Sequence, residues 1–159
     1  MKQKFLSLVS YGIKPETPSD VAEQIRLLNG ISILGVPVVA PYALYFGIIG
    51  NYILAIVFTL GIFLFMAPLI VNKWFGINIG RVFIFLMVSI FFGTVSILTG
   101  KDAGFYLGFL VISVPPILLY PSLRTGLIFV GFSVICLLGS IYSNMHYEAP
   151  SIVPFPLSM

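Results

Sequence analysis

Few side chains in this sequence have the chemistry to hold or transform another molecule. Six belong together by type: Tyr42, Tyr45, Ser96, Thr99, Tyr106 and Ser113. Each carries one hydroxyl, and each lies in or beside an apolar stretch rich in phenylalanine, such as Phe91, Phe92, Phe105 and Phe109. Apolar walls with a few convergent polar groups are how proteins hold a hydrophobic small molecule. These six residues are the candidate ligand pocket. The same aromatics also suit a belt at a membrane–water interface, where an apolar ring with a polar tip is stable.

Covalent, metal and acid–base chemistry find little footing. His146 has Glu148 as its nearest acid, and residues two apart face different directions on a helix. Cys136 is the sole cysteine and sits in an apolar run, so it reads as a small apolar filler. Phosphate-binding glycine loops, dinucleotide fingerprints, HExxH and CxxC are absent from the sequence. The expectation is a protein without enzymatic activity, cofactor or metal.

Composition dictates the elements that must position the six hydroxyls. The chain has 159 residues, 59% hydrophobic and 8% charged, with a mean hydropathy of +1.11. A soluble domain carries roughly 25% charged residues, so the outer surface here belongs in lipid. Five apolar stretches, 27–48, 52–71, 82–99, 105–120 and 126–142, approach the length of about 20 residues that crosses a membrane as a helix. The expected fold is all-α, a polytopic transmembrane helical bundle. Residues 1–26 read as a cytoplasmic or interfacial segment, with Thr17 capping a helix and Pro18 in its first turn. The bundle covers 27–144, and 145–159 form a proline-rich external tail.

Charge orients this bundle. Lys2, Lys4, Lys14, Arg26, Lys73, Arg81 and Arg124 fall in the breaks on one side, and Lys101 alone falls on the other. Lys and Arg accumulate in cytoplasmic loops. The N-terminus is therefore expected inside, and the C-terminus, five spans later, outside. No Asp, Glu, Lys, Arg or His lies inside an expected span, which argues against a pump or proton relay. Basic residues scattered singly also argue against nucleic acid.

A second set of residues governs how the spans pack. Pro37 and Pro41 in the first span, and Pro115 and Pro116 in the fourth, each remove a backbone donor, so kinks are expected there. Ser113 is the local donor for carbonyls freed in the fourth span. Ser89 with Gly93, and Gly104 with Gly108, are small residues four apart, a spacing that lets helix backbones approach. Asn29 is a polar amide suited to coupling or packing across helices. Gly76 and Gly80 share the four-residue spacing but fall in the break 72–81, which reads as a cytoplasmic loop.

The head, Tyr11-Gly12-Ile13-Lys14-Pro15-Glu16-Thr17-Pro18-Ser19-Asp20, followed by Gln24-Ile25-Arg26-Leu27-Leu28-Asn29, resembles the start of a six-span bacterial membrane module. That module precedes histidine kinases, adenylate or guanylate cyclases and diguanylate cyclases. The resemblance continues through Lys73 and Arg81, Gly100-Lys101-Asp102-Ala103-Gly104, Pro115-Pro116-Ile117-Leu118-Leu119-Tyr120 and the proline-rich stretch from Pro150 to Pro156. It implies a membrane sensor or regulatory anchor for a cytoplasmic output domain, and some members respond to hydrophobic autoinducers. The sixth span and the output domain have no counterpart here, so a truncated relative is expected. Expected partners are the lipid bilayer, a second copy or another membrane subunit, and a hydrophobic small molecule. Two other readings stand beside it. One is a small structural membrane protein packed with a partner subunit, and the other is a channel or facilitator for a neutral solute.

Overall fold

In the computed structural model, which describes residues 2–100, 104–120 and 122–146, each apolar stretch is helical. A backbone in lipid must satisfy its own hydrogen bonds, and an uncharged run of this length does so only as a helix. The elements are α1 (Lys2–Val9), α2 (Ser19–Ile48), α3 (Tyr52–Phe75), α4 (Ile77–Thr99), a 3-10 turn (Phe105–Leu107) leading into α5 (Gly108–Leu119), and α6 (Leu123–His146). Helices α2, α3, α4 and α6 are long and apolar enough to cross a membrane; the stretch Phe105–Leu119 is apolar but shorter. Four of the five expected spans thus have full length. The tail 147–159 and Lys101 lie outside the described residues.

Several expected boundaries move. Helix α2 begins at Ser19, one residue after the expected first helical position, and takes Pro18 as its N-cap. Thr17 does not cap it: its Oγ1 accepts from the Lys14 N–H at 3.0 Å and closes the preceding turn. The break 72–81 contracts to one residue. Helix α3 runs on through Lys73 and Trp74, and α4 starts at Ile77. Gly76 makes the link at φ 85° and ψ 168°, a backbone region essentially reserved for glycine. Gly80 is therefore in the first turn of α4, not in a loop; a Cβ there would stand 3.1 Å from Leu28 and 3.3 Å from the Asn72 Cβ.

Successive helices pack antiparallel, and three of the joints share one device. A Cβ at Gly35 would lie 2.1 Å from the Phe65 ring, at Gly61 2.5 Å from Phe91, and at Gly108 2.2 Å from Phe92. Thus α2–α3, α3–α4 and α4–α5 each meet where a ring lies on bare backbone. The α5–α6 joint brings Gly126 against the Pro116 carbonyl, with 3.2 Å for a Cβ. Helix α6 returns alongside α4. Phe85 meets Phe129 edge-on at 4.7 Å near one end, and Asn144 Nδ2 donates to Ser96 Oγ at 3.0 Å near the other. Helix α4 is the centre, burying Ile84, Phe85, Val88, Phe91 and Val95.

This order gathers the start of α2, the end of α3, the start of α4 and the start of α6 at one end of the bundle. Arg26, Lys73, Arg81 and Arg124 all belong to that basic end. The segment after α1 is tied to it as well. Asn29 Nδ2 donates to the Val9 and Tyr11 carbonyls at 2.9 Å each. Lys73 Nζ donates to the Tyr11 hydroxyl at 3.0 Å.

Candidate functional site

Helices α2 and α5 stand apart on either side of α4 and leave a groove of about 690 Å³. Its floor is Ile84, Phe85 and Val88 of α4, all buried. Its rims are Leu34 and Val38 of α2 and Leu110, Val111 and Val114 of α5, all exposed on the outside of the bundle. The groove thus opens sideways, toward what would be lipid. Ligand pockets span roughly 300–1,000 Å³, and this one falls in that range. Why α5 fails to close on α2 can be read from the sequence. Gly108 lets one end of α5 press onto α4, while Pro115 and Pro116 on the groove wall present rings rather than flexible, space-filling chains.

The basic end of the groove is where it becomes polar. Arg81 and Tyr120 both line it. Arg81 is only 3% exposed. Its NH1 donates to Asn78 Oδ1 at 3.1 Å, and its NH2 donates to Gln24 Oε1. The guanidinium carbon lies 5.6 Å from the centre of the Tyr120 ring, within reach of a cation–π attraction. The Arg81 Nε–H and the Tyr120 hydroxyl are buried and have no hydrogen-bond partner. Among the described residues, no acidic side chain pairs with Arg81. A buried cation without a counter-ion is costly, and neutral amide oxygens offset only part of that cost.

Arg81 corrects the reading of 72–81 as a loop. Because the α3–α4 link is one residue, residue 81 is already in the second turn of α4, facing the bundle. Neither Arg81 nor Tyr120 belongs to the candidate pocket read from sequence. A signal was present, however: they sit at facing ends of the third and fourth stretches, which short connections make antiparallel neighbours.

The six expected pocket residues do not line this groove. Tyr42 stacks on Phe58 at 5.3 Å and meets Phe105 edge-on at 5.5 Å. Tyr45 lies against Phe46 at 5.3 Å. Ser96 is fully buried and accepts from Asn144. Thr99 donates to the Val95 carbonyl at 2.7 Å, and Ser113 to the Leu110 carbonyl at 2.6 Å. Tyr106 is half-buried in the 3-10 turn. Three of the six hydroxyls, those of Ser96, Thr99 and Ser113, are therefore occupied by their own helix or a neighbour. The Leu110 carbonyl is also not one that the α5 prolines free, since Pro115 and Pro116 release those of Val111 and Ile112.

The packing set divides more evenly. Asn29 couples α2 to the preceding segment, and its Oδ1 stays buried without a partner. Gly108 is a close-approach site, whereas Gly104 is a turn residue at φ 68° with an added Cβ 4.0 Å from its nearest neighbour. Gly93 is not pressed either: an added Cβ would meet only Phe109, at 3.9 Å. Ser89 is buried with its hydroxyl unpaired. Helix α2 stays continuous through Pro37 and Pro41, as α5 does through Pro115 and Pro116. Among the described residues, no three His, Cys, Asp or Glu side chains converge as metal ligands would.

Comparison of the chain with protein-family models, with curated proteins and with solved structures finds no match.

Proposed function

We propose that this chain is a helical membrane domain of the sensor or anchor type, which binds a hydrophobic ligand in the groove between α2 and α5. The observation that carries this reading is the groove itself: about 690 Å³, walled almost wholly by apolar side chains and open sideways. Its two rims belong to different helices, and both helices contain internal prolines. A ligand that fills the groove contacts both rims and favours one spacing of α2 and α5 over others. A ligand shifts such an equilibrium by its differential affinity for the two spacings. The one-sided Lys/Arg distribution supports a cytoplasmic N-terminus, and the bacterial module that the head resembles supports a bacterial inner membrane. The resemblance of the head to the six-span module supports coupling to a cytoplasmic output.

The test is photolabelling of the full chain in phosphatidylcholine nanodiscs with a long-chain alcohol carrying a terminal diazirine. Saturable labelling should concentrate on the rims, at Leu34, Val38, Val111 and Val114. Val88→Trp, which fills the floor, should suppress it at least severalfold. Equal, unsaturable labelling of rims and other exposed positions such as Ile56, Phe63 and Ile135 would mean that the groove is only lipid-facing surface.

A further inference from the structure

We propose that the groove holds a single-chain anionic amphiphile, a long-chain carboxylic acid, with its carboxylate on Arg81 and Tyr120 and its chain lying along α4. This deepens the reading of the groove as a ligand site and rests on it. Three independent features of the groove carry the inference.

The first is charge. Arg81 is a buried guanidinium with no acidic partner among the described residues, and it lines the groove. Two of its five N–H donors are engaged, by Asn78 and Gln24. Its Nε–H is free, as is the nearby Tyr120 hydroxyl. A carboxylate supplies what is missing: one negative charge and acceptor oxygens for both orphan donors. The planar fork of a guanidinium also matches a carboxylate edge-on.

The second is length. From Arg81 to Phe92, the two ends of the α4 floor, the helix rises about 16 Å at roughly 1.5 Å per residue. That is about half of a hydrocarbon core of about 30 Å. One acyl chain in one leaflet has the same reach, with its polar end where Arg81 sits. The third is volume and access. A groove of about 690 Å³ suits one drug-sized apolar ligand rather than a two-chain lipid with its headgroup. Its sideways opening lets such a ligand enter from the bilayer without crossing water.

The experiment compares palmitic acid and cetyl alcohol, each with a terminal diazirine, on the full chain in phosphatidylcholine nanodiscs. The acid should label the groove at roughly 10- to 100-fold lower concentration than the alcohol, the range expected for charge-assisted hydrogen bonds. Its terminal diazirine should mark the end near Phe92 and Leu110, not the end near Arg81. Arg81→Gln should bring the concentrations needed by the acid and the alcohol together, removing the advantage of the acid. Tyr120→Phe, which keeps the ring and the packing, should remove about 3- to 10-fold of it. Unlabelled palmitic acid should compete, and phosphatidylglycerol should not.

Equal labelling by acid and alcohol would overturn the carboxylate assignment and leave the apolar site standing. Competition by phosphatidylglycerol would overturn it in favour of a lipid headgroup phosphate. Loss of alcohol and acid together in both variants would make Arg81 and Tyr120 structural. Failure of both probes to label the groove would sink the ligand site itself.

Discussion

Arg81 and Asn72 sit close together in the fold and place opposite demands on it. Arg81 keeps a charge in the bundle and reaches Gln24, Asn78 and the Tyr120 ring to do so. Asn72, 4% exposed, is packed beside Gly80, and both polar atoms of its amide are buried without a partner. An unmet buried polar group costs about 1–3 kcal/mol. Leucine keeps the same branched arrangement of four side-chain heavy atoms, with bulkier methyl ends, and has no such group. Asn72→Leu is therefore expected to stabilise the protein by about 1 kcal/mol or more, raising the temperature at which α-helical circular dichroism is lost in detergent. The backbone bond from the Gly76 N–H to the Asn72 carbonyl survives the change. A fall in melting temperature instead would show that the amide holds a partner that matters.

At the scale of helices, the bundle is assembled by rings laid on glycines. The spacing of small residues does not by itself reveal which glycines these are. Gly61 and Gly93 are both interior to long helices, yet only Gly61 is covered, by Phe91. Gly61→Ala should force that ring aside and cost about 1–3 kcal/mol, the usual cost of overpacking. Gly93→Ala should be neutral, or stabilising by up to about 1 kcal/mol, because alanine is the better helix former and its methyl has room. Thermal unfolding of the two variants side by side checks this. Equal destabilisation would mean that Gly93 is as tightly packed as Gly61. The prolines act at this scale too: α2 and α5 remain helical through them, so their effect is on where the helices can close, and the groove lies where they do not.

For the molecule as a whole, the distribution of basic residues bears on orientation in the membrane. The helix order collects Arg26, Lys73, Arg81 and Arg124 at one end, and under the proposed orientation that end faces the cytoplasm, where Lys and Arg accumulate. Tyr52 lies at the opposite end and is 70% exposed; Ser122 is exposed at the basic end. In a Cys136→Ser background, Tyr52→Cys should react with a membrane-impermeant maleimide on intact cells, and Ser122→Cys only after permeabilisation. The reverse pattern would invert the molecule. The same orientation sets the leaflet from which a ligand enters, since the polar end of the groove is at the basic end.

Apolar runs with few charges determine helices, because lipid leaves the backbone no other way to satisfy itself, and short links determine that neighbours run antiparallel. Those consequences were legible in the sequence, as was the collection of basic residues at one end. The candidate site was not. Ser96 and Thr99 looked available because a sequence does not say which hydroxyl its own helix or a distant one will engage; Ser96 is taken by Asn144, 48 residues away, and Thr99 by Val95. Arg81 looked like a loop residue because the break 72–81 contains two glycines and two charges, whereas one glycine at positive φ is enough to turn the chain. The groove exists because two helices distant in sequence, α2 and α5, flank α4 and touch each other only sparsely. That is a matter of where rings and glycines coincide in space, and only the tertiary structure decides it.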